Sequence, residues 1–175
     1  MRVVQVVEGF DQFTVQEIDA PKFCKDGAIM QMEAALVASY MAALPSGAWM
    51  TPLRPFITGQ CAVGVVEQSS GIIQQGQRVY FDAYTGSNDQ VHPVADHGFL
   101  GCFVAGPGTQ ADLATWPNGS FANLIRVPNA CFTPIPDRID AAPDVLCRLG
   151  WFGAAMARLP SWVLPNSQYV STHPC

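Results

Sequence analysis

The sequence predicts a mainly β fold, a partly open barrel with short helices. Three observations carry this. Short runs rich in valine, isoleucine and aromatic residues recur along the chain, and several alternate apolar with polar positions, the period of a half-buried strand. The 14 prolines and 15 glycines are spread along 175 residues rather than clustered, so many short elements are joined by turns. Hydrophobic residues make up 49% of the chain and charged residues 13%, a balance that supports a buried core and argues against disorder.

Taken in order, "RVVQVVEG" (Arg2–Gly9) and "FTVQEID" (Phe13–Asp19) read as the strands of a hairpin turned at "GFDQ". "AIMQMEAALV" (Ala28–Val37) opens with alternation and becomes continuously apolar, which predicts a strand buried toward its end. "ASYMAALPSG" holds a helical turn, and "AWMTPLRP" is a loop broken by Pro52 and Pro55. "PFITGQCAVGVVEQ" (Pro55–Gln68) is a glycine-centred turn followed by a strand, and after a turn around Gly76 another strand runs from Arg78 to Ala83. From Thr85 to Asn118 the chain is long, glycine-rich and aperiodic, the mark of an elaborated lobe or functional excursion. Phe121–Val127 and Cys131–Pro134 read as strands turned at Pro128 and Asn129, and a helix is expected from about Pro143, with Asp140 or Ala142 near its start. The last stretch, "PSWVLPNSQYVSTHPC", has no usable period and reads as irregular.

Charge and cysteine usage narrow the function classes. A net charge of −5, a pI near 4.9 and the lack of a basic stripe argue against nucleic acid or anionic membrane surfaces as partners. No run approaches the roughly 18 apolar residues of a membrane span, and "MRVVQVVEGFDQF" lacks the pattern of a secretory signal, so a cytoplasmic location is the expectation. Cys24, Cys61, Cys102, Cys131, Cys147 and Cys175 are irregularly spaced with no C-x-x-C pair, and read as reduced, mostly buried thiols.

Several blocks, in order, resemble one family. "MRVVQVVEGFDQFTVQEIDAPKFCKDGAIMQMEAALV" is similar to the opening hairpin and first long strand of medium-chain dehydrogenases/reductases. "RPFITGQCAVGVVEQ…GQRVYFD" looks like their glycine-centred turn and the two strands after it, and "GSFANLIRVPNACFTPIPD" like their "G-x-F-A-E-Y" strand and "P-x-P-D" helix entry. The resemblance covers residues 1–149 and implies a GroES-like domain that binds a small-molecule substrate, with 150–175 a divergent or truncated tail. In that family a Rossmann domain binding NAD or NADP follows, and "GWFGAAMA" and "GPGTQAD" do not supply its strand–G-x-G-x-x-G–helix fingerprint. The chain is therefore expected to be inactive alone, and the surface around Val145–Trp151 to favour self-association.

The resemblance also locates the chemistry. The zinc-ligand places of zinc-dependent members fall at about Ala38, Gln60 and Cys61, with Cys147 near another, so no zinc is expected. His92 and His97, in "VHPVADHG", read as exposed loop residues, and Asp82 and Asp89 as solvent-facing. Zinc-free members position a carbonyl, enone or quinone for hydride addition, for which Tyr40, Ser39 and Gln60 are the candidate catalytic residues. Tyr40 would donate to a substrate oxygen, Ser39 would assist, and Gln60 would orient a carbonyl. A half-buried structural tyrosine and a turn glutamine are the competing readings. Gly59 and Cys61 are the candidates for cofactor proximity, although Gly59 first reads as a glycine demanded by its backbone conformation. The alternative function is a non-catalytic binding or assembly module derived from such an enzyme.

Overall fold

The computed structural model describes residues 1–9, 11–47, 51–86, 97–104 and 113–150. The expectations for His92, Asp89, "GPGTQAD" and the tail from Trp151 onward fall outside the described residues.

Among the described residues, three antiparallel sheets make up the fold. The hairpin forms as expected from β1 (Arg2–Val6) and β2 (Phe13–Glu17), with Val4 opposite Val15. It is extended on the other edge of β1 by β4 (Phe56–Ile57), a two-residue strand inside the segment read as a turn. The second sheet has the order β10-β3-β5-β6-β11, built from β3 (Gly27–Ala35), β5 (Ala62–Ser69), β6 (Arg78–Phe81), β10 (Leu124–Pro128) and β11 (Phe132–Pro134). A third sheet joins β7 (Tyr84–Gly86), β8 (His97–Phe99) and β9 (Phe103–Val104). Ser39–Ala43 is a 3-10 turn, as is Asn129–Cys131, and α1 (Pro143–Leu146) starts with Pro143 in its first turn after Ala142. The sheets are open rather than closed into a barrel. Among the described residues no helix is long and apolar enough to cross a membrane.

The second sheet coils because β3 and β5 shift register between Ile29 and Met30 and again between Met32 and Ala34, and such bulges add local twist. Its core face carries Met30, Val66, Val79, Phe81, Ile125, Val127 and Phe132, and the Phe81 and Phe132 rings meet at 6.1 Å. Each fully buried side chain of this size contributes about 1.5–3 kcal/mol.

Burial along β3 runs opposite to the expectation. Gly27 to Met30 are buried, whereas the later residues are partly or fully exposed. Pairing changes at the same place: Ala28 to Gln31 lie between β10 and β5, but from Met32 onward β5 alone pairs with the strand. The stretch from Thr85 likewise differs from an aperiodic excursion, because β7, β8 and β9 pair within and around it, and His97 opens a strand rather than sitting in a loop.

The three sheets are tied where backbones cross. Gly59 follows β4, Gly101 turns the chain between β8 and β9, and Gly119 precedes β10. Gly119 N–H donates to Ile57 O at 2.8 Å, Phe121 N–H to Thr58 O at 2.8 Å, and Ile57 N–H to the Asn118 side chain at 3.0 Å. The approach leaves no room for side chains. A Cβ at Gly119 would stand 1.9 Å from Gly59 O, and one at Gly59 would stand 2.5 Å from Ser120 Oγ and 2.6 Å from Phe121 Cδ1. Gly59 also has φ of 106°, the left-handed region that disfavours any Cβ.

Gly59→Ala combines that strain with a clash against backbone and is expected to lower stability by about 3 kcal/mol or more. Gly9→Ala, at φ of 75° with nothing within 4 Å of the added methyl, should cost only about 1 kcal/mol. Urea denaturation of the two variants checks the contrast; equal costs would mean that the crossing is not tightly packed.

Candidate functional site

A cavity of about 550 Å³ opens between the second and third sheets, lined by Tyr40, Gln60, Cys61, Asp82, Tyr84, Phe99, Phe103 and Gly150. One wall follows from strand register. Tyr84 on β7 lies directly opposite Phe99 on β8, and Phe99 directly opposite Phe103 on β9, so the three rings stand on one face of the small sheet. Tyr84 meets Phe99 edge-on at 5.6 Å between centroids, and Phe99 meets Phe103 at 5.0 Å. The sequence reading passed over this row, because strands of two or three residues show no period.

Tyr40 and Gln60 supply the polar part. Tyr40 sits half-buried on the 3-10 turn, and its hydroxyl donates to Gln60 Oε1. Gln60 is buried and fixed by the crossing immediately before it. Arg54 fastens the loop after the 3-10 turn by donating to Pro45 O at 2.8 Å and to Val7 O at 3.3 Å. Burial pushes the Tyr40 phenol up to about 12, with smaller contributions from Cys102 and Cys61. The phenol therefore stays protonated, a neutral donor, at any physiological pH.

Cys61 faces the same cavity. Burial, its largest influence, pushes its thiol up. A side chain at Gly150 would lie 2.5 Å from the Tyr80 hydroxyl and 2.8 Å from Cys61 Sγ, so the three groups converge at one point. Among the described residues the Tyr80 hydroxyl is buried without a hydrogen-bond partner, and it and the thiol influence each other's ionisation. Cys147 is buried nearby in the cluster that holds Val63 and Tyr80, its Sγ 3.3 Å from Asp144 O.

Solved structures share this arrangement of sheets. The chain is similar to Haloferax mediterranei glucose dehydrogenase in complex with NADP, Zn and gluconolactone, with a TM-score of 0.61 and 18% identity over 79% of this chain and 40% of that one. It is similar to galactitol-1-phosphate dehydrogenase from Escherichia coli, with a TM-score of 0.63 and 15% identity over 85% of this chain and 41% of that one. The alcohol dehydrogenase of the archaeon Aeropyrum pernix gives a TM-score of 0.63 and 17% identity, over 85% of this chain and 43% of that one. The fold is GroES-like and is shared with these dehydrogenases. The chain spans less than half the length of each. No protein-family model matches it, and no curated protein matches it by sequence.

Zinc accompanies the GroES-like fold in the Haloferax enzyme, and the donors here can be weighed against it. Ala38 is buried and offers no electron pair, Gln60 Oε1 already accepts the Tyr40 hydroxyl, and Cys61 and Cys147 are two thiols where a zinc site takes three or four ligands. Among the described residues no group of three or more His, Cys, Asp or Glu could hold a metal ion. This donor set does not suit zinc.

Of the residues singled out from sequence, Tyr40, Gln60 and Cys61 come together at the cavity. Ser39 does not. It is exposed and lines a separate apolar groove with Phe13, Val37 and Phe121. Gly59 has its Cβ space filled by Ser120 and Phe121, so packing accounts for the glycine. Asp82 is exposed as expected, yet it also lines the cavity.

The raised groups give the fold an alkaline limit. Tyr40 lies at about 12 against an ordinary 10.0, and Cys102 and Cys131 at about 12 against 9.0. Each binds its proton more tightly folded than unfolded, so the stability it contributes is complete below the unfolded value and is lost as pH rises through the folded one. Urea midpoints are expected to fall steadily from about pH 9 to about pH 12; a flat profile would contradict the burial of these groups.

Proposed function

We propose that this chain is the substrate-binding domain of a zinc-independent, NAD(P)-dependent medium-chain oxidoreductase acting on a carbonyl, enone or quinone compound. The observation that carries the reading is the Tyr40 hydroxyl, kept protonated by burial and held by Gln60 at the mouth of an aromatic-lined cavity. Such a donor stabilises the negative charge that develops on a carbonyl oxygen during addition. Turning the Gln60 amide would present its Nε2 to the Tyr40 oxygen and release the hydroxyl proton toward substrate. When bound, the nicotinamide would supply the hydride. Cys61, protonated by burial, would pack against the substrate rather than attack it.

Because the chain spans less than half of each solved neighbour, we propose that turnover needs a dinucleotide-binding module, on a longer chain or a partner. Exposed Ile139, Val145 and Leu149 offer an apolar face for that module or for self-association. A cytoplasmic location is in keeping with the five described cysteines, all free thiols.

Titration with 2-cyclohexen-1-one, followed by NMR, tests the site. Binding should perturb Tyr40, Gln60 and Phe99, and Tyr40→Phe should weaken it about fivefold, the worth of one hydrogen bond near 1 kcal/mol. Equal affinity in the variant, or perturbations confined to the groove beside Ser39, would sink the reading. With NADPH added, the chain alone should show no steady loss of nicotinamide absorbance, because poor positioning costs several kcal/mol of barrier. Binding that never yields turnover, even beside a dinucleotide-binding module, would favour a non-catalytic binding module.

A further inference from the structure

We infer that the cavity selects substrates bearing an organic ammonium group, seated between the aromatic row and the Asp82 carboxylate. The inference rests on the reading of this cavity as a substrate site and adds the chemical class of what enters it.

The lining has an unusual balance. Tyr40, Tyr84, Phe99 and Phe103 contribute four rings, and Asp82 contributes the charge; no Lys, Arg or His stands among the described lining residues. Asp82 follows β6, and its Oδ1 accepts the Tyr84 backbone N–H at 3.1 Å, which orients the carboxylate at the entry to β7, and both residues line the cavity. Among the described residues the carboxylate forms no ion pair. The ion pair found among the described residues joins Arg78 to Glu33 at 2.7 Å, on other side chains.

Aromatic faces carry negative potential, and several converging rings hold an alkylammonium group by cation–π attraction while covering its methyl surface. A carboxylate at the edge of such a box adds charge pairing that an apolar wall strengthens relative to water. The same wall disfavours phosphate and carboxylate ligands, which would meet Asp82 with no Lys, Arg or His among the described lining residues to offset it. The net charge of −5 draws cations toward the surface as well. A neutral aromatic ligand would gain the ring contacts but leave the carboxylate without a partner.

Choline and its neutral isostere 3,3-dimethylbutan-1-ol separate the two cases, since they differ in charge and hardly in shape. NMR titration of the chain should show choline binding about tenfold more tightly, with shifts at Tyr84, Phe99 and Asp82. Asp82→Asn keeps the acceptor for the Tyr84 N–H, so it should fold normally and cut the preference to about threefold or less. Equal binding of the two probes, or an unchanged preference in Asp82→Asn, would overturn the inference. Cyclohexenone titrated in parallel assigns the failure. If it binds at Tyr40 while choline gains nothing over its isostere, the ammonium assignment alone falls. If neither perturbs the cavity, the substrate-site reading falls with it.

Discussion

The crossing of Gly59, Gly101 and Gly119 is the constraint on which the rest of the molecule depends. It brings segments next to the three sheets into backbone contact, closer than any side chain allows. Hydrogen bonds from Gly119 to Ile57 and from Phe121 to Thr58 hold it in place, each at 2.8 Å. The cavity inherits its shape from this point. Gln60 and Cys61 follow Gly59 directly, and Phe99 and Phe103 flank Gly101 on the two strands of its hairpin. Packing at the crossing therefore sets the distance between the polar wall and the aromatic wall.

Within that frame, desolvation decides the chemistry. It is the largest influence on Tyr40, Cys61, Tyr80 and Cys147 alike, and in each it favours the protonated form. A phenol kept neutral is a good hydrogen-bond donor. A thiol kept neutral is a poor nucleophile. The turn that resembles a metal-binding one thus retains its backbone, while its side chains offer hydrogen bonding and apolar contact.

Legibility in the sequence followed apolar pattern and, for the three-residue β11, the turn at Pro128 and Asn129 that precedes it. β1, β2, β5, β6 and β10 each carry several apolar positions in alternation or in an unbroken run, and the structure places strands within or close to those bounds. Pro143 announced the start of α1, and Gly59 its left-handed backbone. The third sheet was not legible, because its strands of two or three residues carry no period and are defined by partners. Half of the site went unread for the same reason. The row Tyr84, Phe99 and Phe103 exists only through register, and the Tyr40–Gln60 bond joins residues on two separate turns. The family resemblance pointed to Tyr40, Gln60 and Cys61, which line the cavity, and to Ser39, which lines another groove. Burial along β3 was misjudged since apolar content says little about which half of a strand has neighbours on both edges.

A crystal structure of the chain grown with 2-cyclohexen-1-one tests the central claim most directly. The account predicts the ketone oxygen at hydrogen-bond distance from the Tyr40 hydroxyl and the ring against Phe99. A ligand seated beside Ser39, or a cavity left empty with Tyr40 still bonded to Gln60, would contradict it.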